Sequence, residues 1–218
     1  MKVGAILSMS GVYSTLGPAQ KKALTMGVEA LNRTGFTVVG KRRTLEIAYA
    51  DDRSDPATTG VTALRDMSQA QRLPVIAYGL GSATYVPQLK RRPVAMINIL
   101  DSSHPSVITG NPHLSLTRGG SPTYVPGCLY YAKRRLDTKK ISIITAKGEP
   151  YGEGLTQLVR ESARAEGITI GASSEYPLGA TDYSNAINTA VAAEPDAIYL
   201  SSVTGVILPV LKQVRQSG

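Results

Sequence analysis

The sequence is poor in cysteine and histidine and has no long apolar run, and each absence excludes a class of site or protein. Cys128 is the only cysteine among 218 residues, so no internal disulfide forms and the redox compartment is left open. The two histidines, His104 and His113, do not share a metal-ligand spacing, and we predict no metal site. No apolar run approaches the roughly 18–20 residues that cross a bilayer, so we expect no membrane-embedded segment.

Motifs of common enzymes and cofactor sites are missing as well. The chain has no Gly-x-Ser-x-Gly nucleophile elbow and no Walker phosphate loop. Gly79-x-Gly81 lacks the third glycine of a dinucleotide fingerprint and follows the third predicted strand rather than the first. Cys128 falls in a predicted helix without a histidine partner, and we interpret it as a small buried hydrophobic residue. We therefore predict no catalytic residue and no cofactor, and an α/β enzyme is the least favoured function.

The charge of the chain is positive but dispersed. Its 24 lysine and arginine residues oppose 16 acidic residues, which gives a formal net charge of +8. The basic residues form short groups at expected helix ends and turns: residues 21–22, 41–43, 90–92, 133–135 and 139–140. No long basic run and no nucleic-acid motif accompanies them, so we predict a solvated surface and no nucleic-acid partner. The positive field still favours small anionic ligands.

Strand and helix patterns alternate along the first half of the chain. Helices are predicted from Gly17-Pro18, from Asp55-Pro56 (a cap followed by a first-turn proline) and from Ser82. The first of these helices has apolar residues on one face, namely Ala23, Met26, Ala30 and Leu31. Apolar strands are predicted at residues 3–7, 44–50, 74–78 and 94–97. This β-α-β-α-β-α-β order indicates a parallel sheet with helices on both faces.

A second alternation follows a break in the pattern. Residues 101–123 are rich in serine, proline, glycine and asparagine and are typical of a crossover, with one strand-like piece at 114–117. Helices are then predicted at residues 124–136, 151–166, 183–193 and 205–216, and strands at 140–145, 168–175 and 196–201. We therefore predict two α/β domains, residues 1–119 and residues 120–218.

The stretch from Tyr78 to Thr84 has the chemistry of an anion site. A predicted strand ends there in Gly79 and Gly81, and Ser82 opens the next helix. Glycines let the backbone come close to a ligand, and the first N–H groups of a helix lack partners within it. Ser82 or Thr84 adds a hydroxyl donor. The stretch predicts a site for a carboxylate or a phosphate.

Five motifs occur together in an order that resembles a known family. They are Gly-Val-Tyr-Ser-Thr-Leu-Gly at 11–17, Ala-Asp-Asp-Arg-Ser-Asp-Pro at 50–56, Gly-Ser-Ala-Thr at 81–84, Tyr-Gly-Glu-Gly-Leu at 151–155 and Thr-Asp-Tyr-Ser at 181–184. Each motif alone is weak, but the ordered set is similar to the branched-chain amino-acid type of periplasmic solute-binding protein, the receptor subunit of ABC importers. The resemblance runs over residues 3–218.

The resemblance implies a type I periplasmic-binding fold, in which two Rossmann-like lobes with parallel sheets close on a ligand. Members of the family are longer, so we expect this chain to lack the C-terminal portion and its second lobe to be incomplete. The implied function is a non-enzymatic receptor that binds a small carboxylate, either an amino acid or an aromatic or aliphatic acid. The implied partner is the membrane permease of an ABC importer. A ligand-sensing regulatory module of the same fold is the alternative.

The resemblance also implies a periplasmic location. Met1-Lys2 leads directly into a strand, without the regions of a signal peptide, so the chain is either cytoplasmic or a mature exported protein. With the resemblance, we expect a leader to have been removed.

Ligand contacts in the first lobe follow from the resemblance. Gly81, Ser82 and Ala83 match the place where relatives hold the ligand carboxylate, with Ser82 as the hydroxyl donor. A Ser82 that only caps its helix is the competing interpretation. Tyr13 matches an aromatic residue that relatives place against the ligand side chain, and a tyrosine half-buried at a loop edge is the alternative.

Further contacts are implied after the fourth strand and in the second lobe. Ser102 is the expected hydroxyl for a ligand amino group. Asp101 beside it either pairs with a ligand ammonium or forms a turn, because the motif is altered here. Tyr151 matches the aromatic residue that closes on the ligand from the second lobe. Thr204 is a weaker expectation, since the aromatic residue of some relatives is missing from its loop.

Overall fold

The chain divides into two units, each with its own sheet and helices. The first unit comprises Met1–Asp101 and Ile108–Arg118, and the second comprises Ser102–Val107 and Gly119–Gly218. The computed structural model describes residues 1–91, 93–100, 106, 109–117 and 119–216.

A parallel sheet forms the centre of the first unit. Its strands are β1 (Lys2–Leu7), β4 (Glu46–Asp51), β5 (Val75–Tyr78), β6 (Ala95–Asn98) and β7 (Leu114–Leu116). Within the described residues they lie in the order β4-β1-β5-β6-β7. Ala5, Ile6 and Leu7 of β1 are all fully buried. Such a continuous apolar run is typical of a parallel strand covered on both faces, and the predicted parallel sheet is confirmed.

Helices follow the strands of this sheet. They are α1 (Gly17–Thr34), α2 (Val61–Arg65) between π-helical turns at Pro56–Gly60 and Asp66–Ala70, and α3 (Ser82–Leu89). Asp55 caps the first π-helical turn, where its carboxylate accepts a hydrogen bond from the Thr58 N–H at 3.0 Å. The predicted cap and first-turn proline are therefore confirmed. The core between sheet and helices contains Ile6, Leu64, Met67, Ile76, Tyr78, Tyr85, Leu89 and Met96.

Helix α1 lies where the sequence predicts, but another side of it faces the protein. Met26 is 59% exposed and Leu31 is 38% exposed, and Ala23 and Ala30 are exposed as well. The half-buried residues recur at every fourth position: Gln20, Leu24, Val28 and Asn32. Apolar side chains occur around most of this helix, so spacing alone did not identify the inward face.

A β-hairpin between α1 and β4 was not predicted. Strands β2 (Phe36–Val38) and β3 (Lys41–Arg43) pair in antiparallel fashion around Val39 and Gly40, which both have positive φ angles (49° and 70°). This geometry is that of a two-residue hairpin turn. The basic group at residues 41–43 was expected in a turn, and that expectation is wrong because these residues form an exposed strand.

The second unit has a smaller parallel sheet with helices on both faces. Its strands are β8 (Lys140–Lys147), β9 (Thr169–Pro177) and β10 (Ala197–Ser201), in the order β10-β8-β9 among the described residues. Its helices are α4 (Ser121–Arg135), α5 (Pro150–Ala165), α6 (Ser184–Ala192) and α7 (Thr204–Gln216). One face packs on α4 and α5 through Val125, Leu129, Ile143 and Val159. The other packs on α6 and α7 through Ile144, Tyr183, Ile187 and Val210.

Cys128 corrects one interpretation made from the sequence. It was predicted as a small buried residue, but its thiol is exposed on α4. The buried positions of this helix are Ser121, Val125 and Leu129, at successive steps of four residues, and Cys128 lies beside that row rather than in it.

No helix among the described residues is both long enough and apolar enough to cross a membrane.

Candidate functional site

The turn between β5 and α3 has a backbone that only glycine fits. Gly81 has a φ angle of +105°, and a Cβ atom placed on it would lie 2.7 Å from Pro56 Cβ and 2.9 Å from Tyr85 Cε2. The N–H groups of Thr84 and Tyr85 both donate to the Gly81 carbonyl at 2.9 Å. The turn therefore bends tightly into the first turn of α3, which begins at Ser82. The predicted strand, glycine and helix N-terminus occur in that order.

Ser82 lies inside this turn rather than on its surface. Its side chain is fully buried, and its Oγ lies 2.7 Å from the Tyr78 hydroxyl. A hydroxyl donates one hydrogen bond and accepts two, so Ser82 has the capacity to hold Tyr78 and a ligand oxygen together. Ala83 follows it and is half-buried. The structure thus brings the three residues predicted for carboxylate binding to one helix start.

Asp51 holds the loop that follows β1. Its carboxylate accepts hydrogen bonds from the Met9 N–H at 2.9 Å, the Ser10 N–H at 3.2 Å and Ser10 Oγ at 2.6 Å. Partial burial by itself would raise the pKa of this carboxyl. The bonds from Ser10, Arg53 and Met9 outweigh that effect and leave the pKa below its ordinary value. Asp51 is therefore an ionised carboxylate that holds the loop by hydrogen bonds.

Tyr13 sits in the same loop and is 5% exposed. Its N–H donates to Ser54 Oγ at 3.0 Å, and Ser54 Oγ donates to the Ser10 carbonyl at 2.6 Å. The loop after β1 is thus attached to the turn after β4 at several points. Since both follow the carboxyl ends of adjacent parallel strands, they lie at the same end of the sheet as the Gly81–Ser82 turn, where open α/β sheets bind ligands.

Asp52, next to Asp51, has the opposite environment. It is fully buried, and its Oδ1 accepts a hydrogen bond from the Ser54 N–H at 2.9 Å. Burial raises the pKa of this carboxyl, and the charges of Asp51 and Asp55 add to the shift. The nearby Ser8 hydroxyl and the hydrogen bond from the Ser54 N–H oppose the rise without cancelling it. Two neighbouring carboxyls therefore have pKa values displaced in opposite directions.

Asp101 and Ser102, predicted to meet a ligand amino group, lie outside the described residues. The preceding strand, β6, ends at Asn98, which is 1% exposed. Its Nδ2 donates to the Gly79 carbonyl at 3.2 Å, and its Oδ1 accepts from the Leu100 N–H at 3.1 Å. Sequence reasoning missed Asn98, although a polar residue that ends an apolar strand was the available signal.

Tyr151 belongs to the first turn of α5 in the second unit. It is half-buried, and its hydroxyl is hydrogen-bonded to the Tyr124 hydroxyl, which lies 3.0 Å from Ser121 Oγ. These bonds link the first turns of α4 and α5. Thr204, the other residue predicted for this unit, is the first residue of α7, and its side chain lies outside what the structure describes.

Glu149 precedes α5 and is a second buried acid that the sequence analysis missed. It is 1% exposed, and its carboxylate accepts a hydrogen bond from Ser202 Oγ. Burial raises the pKa of the nearby Tyr176 hydroxyl to about 12, and the charge of Glu149 contributes to the shift. Within the described residues, no three His, Cys, Asp or Glu side chains are placed to hold a metal ion. The arrangement offers hydrogen-bond donors and packed tyrosines rather than an assembled metal centre.

Solved structures share this architecture. A leucine binding protein, LivK, from Thermotoga maritima matches 100% of this chain and 61% of its own at 23% identity, with a TM-score of 0.85. LivJ from Streptococcus pneumoniae, a branched-chain amino acid transporter substrate binding protein in complex with isoleucine, matches 100% of this chain and 61% of its own at 20% identity, with a TM-score of 0.83.

A third match has a ligand of another kind. The ABC transporter solute binding protein from R. palustris in complex with 4-hydroxybenzoate matches 100% of this chain and 59% of its own at 20% identity, with a TM-score of 0.78. At such identities these likenesses show the fold, and they confirm the type I periplasmic-binding architecture. The chain spans about three-fifths of the length of these proteins.

No curated protein matches this chain. The family model for periplasmic binding proteins, in contrast, matches residues 1–218, so this chain belongs to the periplasmic binding protein family, whose members bind solutes rather than catalyse reactions.

Proposed function

We propose that this chain acts in an extracytoplasmic receptor of an ABC importer and binds a small carboxylate, either an amino acid or an aromatic or aliphatic acid. Membership of the family supports a solute-binding role. Because the chain spans about three-fifths of its solved relatives, the ligand, the importer and the closure of two lobes on the ligand are proposals for the whole protein. A membrane permease is the proposed partner.

One observation carries the choice of a carboxylate, namely the tight Gly81 turn into α3. A helix N-terminus concentrates N–H groups and partial positive charge, which stabilise an anion. Ser82 supplies a hydroxyl at the same place, already in contact with Tyr78. The net charge of +8 also favours an anionic ligand. We propose Gly81, Ser82 and Ala83 as the carboxylate site.

The remaining predicted contacts stay with this proposal. Tyr13 is proposed to pack against the ligand side chain, and Asp101 with Ser102 to meet an amino group if the ligand has one. Tyr151 is proposed to close on the ligand from the second unit, and Thr204 to add a contact. In the relatives, the bound molecules named are isoleucine and 4-hydroxybenzoate, so the acids to test first are amino acids and hydroxybenzoates.

Calorimetric titration tests the carboxylate directly. The protein is titrated with leucine, isoleucine and 4-hydroxybenzoate, each beside its methyl ester. The ester keeps the size and the side group of the acid but removes its charge. We expect an acid that binds to lose at least about tenfold in affinity as its ester, because a hydrogen bond to a charged group contributes roughly 1.5–3 kcal/mol.

The outcomes separate the alternatives. Equal binding of an acid and its ester would place the ligand carboxylate away from the Gly81–Ser82 turn. Binding of 4-hydroxybenzoate but of neither amino acid would show that no amino group is needed. If none of the acids binds, the proposed ligand class fails and a sensing role with another ligand becomes the leading hypothesis.

A further inference from the structure

The first unit buries three polar atoms that lack ordinary hydrogen bonds. Within the described residues, Ser8 Oγ, Asp52 Oδ2 and the Tyr85 hydroxyl have no hydrogen-bond partner of good geometry. Ser8 is 3% exposed, and Asp52 and Tyr85 are fully buried. Buried polar groups are nearly always paired, so three such atoms in one unit require an explanation.

The three groups are neighbours. The Asp52 N–H donates to the Leu7 carbonyl at 3.1 Å, which places Asp52 next to Ser8. Ser8 alters proton binding at the Asp52 carboxyl, and Asp52 alters proton binding at the Tyr85 hydroxyl, as expected for groups in contact. Each comes from a different segment: Ser8 follows β1, Asp52 follows β4, and Tyr85 lies in α3. The chain also makes room for this contact at Gly60, where a Cβ atom would lie 2.1 Å from the Tyr85 hydroxyl oxygen.

Tyr85 connects this cluster to the proposed carboxylate site. Its ring is so close to Gly81 that a Cβ there would lie 2.9 Å from Tyr85 Cε2. It also packs edge to face on Tyr78, with ring centroids 5.2 Å apart, and the Tyr78 hydroxyl contacts Ser82 Oγ. A shift of the Tyr85 ring would therefore change the space around Gly81 directly, and it would displace Ser82 through the contact with Tyr78.

We propose that Asp52 is a positioning residue: placed beside the hydroxyls of Ser8 and Tyr85, its carboxyl ties the segments after β1 and β4 to helix α3 and holds the Gly81–Ser82 turn in its ligand-binding geometry. This inference rests on the proposed function, because Asp52 is assigned the role of supporting the residues that are proposed to bind the ligand. Asp52 itself does not touch the ligand in this scheme.

The charges around Asp52 give the arrangement a pH dependence. The carboxyl faces Asp51 and Asp55 on its own segment, the Tyr85 hydroxyl from α3 and Ser8 from the end of β1. Because its pKa is raised in the folded protein, the Asp52 carboxyl holds its proton more tightly there than in the unfolded chain, where the pKa has its ordinary value of 3.8. The contribution of Asp52 to stability therefore falls as pH rises from 3.8 through the raised pKa. A protonated acid donates to one hydroxyl and accepts from the other, and the raised pKa means that folding favours this state over the carboxylate.

The experiment compares Asp52→Asn with the unaltered protein between pH 4 and pH 8. An asparagine is nearly the same shape, donates and accepts at every pH, and does not ionise. We expect the free energy of unfolding of Asp52→Asn to rise relative to the unaltered protein as pH increases. Asp137→Asn removes an exposed carboxylate and is the matched control, expected to run parallel to the unaltered protein.

Positioning is read separately by amide hydrogen exchange in residues 79–85. Tyr85→Phe removes the hydroxyl but keeps the ring, and we expect exchange in this segment to become about two- to tenfold faster, the loss expected for one hydrogen bond. Tyr130→Phe alters a tyrosine that is 56% exposed on α4 and should change nothing there. The same segment should exchange faster in the unaltered protein at pH 8 than at pH 5, after correction for intrinsic rates, and Asp52→Asn should remove that difference.

Affinity for 4-hydroxybenzoate and for isoleucine completes the test. If an acid binds and neither Asp52→Asn nor Tyr85→Phe alters its affinity or the pH dependence of its affinity, the inference fails while the proposed function stands. If neither acid binds but amide hydrogen exchange and the free energy of unfolding change as expected, the proposed ligand class fails. The inference that Asp52 holds the three segments together then stands. A stability difference between Asp52→Asn and the unaltered protein that is constant with pH overturns the inference.

Discussion

Ser82 combines two demands in one hydroxyl. It is fully buried and contacts the Tyr78 hydroxyl at 2.7 Å, and the proposed ligand would be a further partner. Its capacity of one donated and two accepted hydrogen bonds meets both demands when Tyr78 is the donor between them. The residue is then positioned by the protein before the ligand arrives, which lowers the entropy cost of binding.

Replacing Ser82 by alanine should weaken binding of the acid roughly 10- to 150-fold, because a hydrogen bond to a charged group is lost. Tyr78→Phe is the matched control. Both variants lose the Tyr78–Ser82 contact, but only Ser82→Ala removes the hydroxyl proposed for the ligand. Titration of both variants with the same acid gives the comparison. Equal losses in the two variants would mean that Ser82 serves the fold alone.

Residue types in the site were easier to predict than their surroundings. Gly81 and Ser82 were identified from a strand, a glycine and a helix start, all of which depend on local backbone chemistry. Burial of Ser82 against Tyr78 and burial of Asp52 depend on packing across the sheet, which no local pattern encodes. The exposed Cys128 was predicted wrongly for the same reason.

Among the elements, helix α5 begins in close contact with the carboxyl end of a strand. Gly152 in the first turn of α5 is buried, and a Cβ atom there would lie 2.4 Å from the Ser201 carbonyl oxygen at the end of β10. Ser201 Oγ in turn donates to the Gly152 carbonyl at 2.7 Å. The backbone at the start of α5, which carries Tyr151, is therefore in direct contact with the backbone at the end of β10.

Two helical glycines allow a paired test of that contact. Gly152→Ala should destabilise the protein by about 1–3 kcal/mol, because overpacking against backbone cannot be relieved by a rotamer change. Gly127→Ala in α4 should instead stabilise it by roughly 0.4–1 kcal/mol, since a Cβ atom there meets nothing within 4 Å. Urea unfolding of both variants measures the difference. A neutral Gly152→Ala would show that α5 moves away from β10 without cost.

Most elements were predictable because their periodicity is strong, and the failures have identifiable causes. Strand β1 is a buried apolar run, and β8 is buried over its six central residues. The β2–β3 hairpin was missed because its strands are three residues each and one of them is the basic run Lys41–Arg43. The inward face of α1 was misplaced because apolar residues occur on several sides of the helix.

At the scale of the whole molecule, charge is the property with a direct functional consequence. The net charge of +8 comes from short basic groups scattered along the chain rather than from one long basic run. Such a distribution attracts anions from a distance without supplying a defined contact. The positive charge should therefore raise the association rate constant of an acid, and the local contacts at the Gly81–Ser82 turn should determine the dissociation rate constant.

Stopped-flow binding of the acid at increasing salt tests this separation. Between about 10 mM and 1 M ionic strength, the Debye length falls from roughly 30 Å to 3 Å. We expect the association rate constant to decrease by about tenfold, the low end of the range for electrostatic steering. The dissociation rate constant should change little. If salt changed only the dissociation rate constant, the charges that act on the acid would lie at the binding site rather than across the surface.

Apart from the β2–β3 hairpin, the order of the described elements could be predicted, since each unit alternates strands and helices. Resemblance in five short motifs supplied the family and the type I fold, which the family model and the solved structures confirm. The ligand could not be derived in the same way. Its contacts depend on side-chain orientation at several loops, which no local sequence pattern encodes.

The exposed thiol of Cys128 is suited to site-specific chemical labelling. A maleimide dye has a single place to react, because the chain has no other cysteine to be removed beforehand. The label would stand on the outer side of α4, the helix whose first turn carries the Tyr124 hydroxyl that contacts Tyr151. An environment-sensitive fluorophore at that place would test whether binding of an acid changes the surroundings of α4.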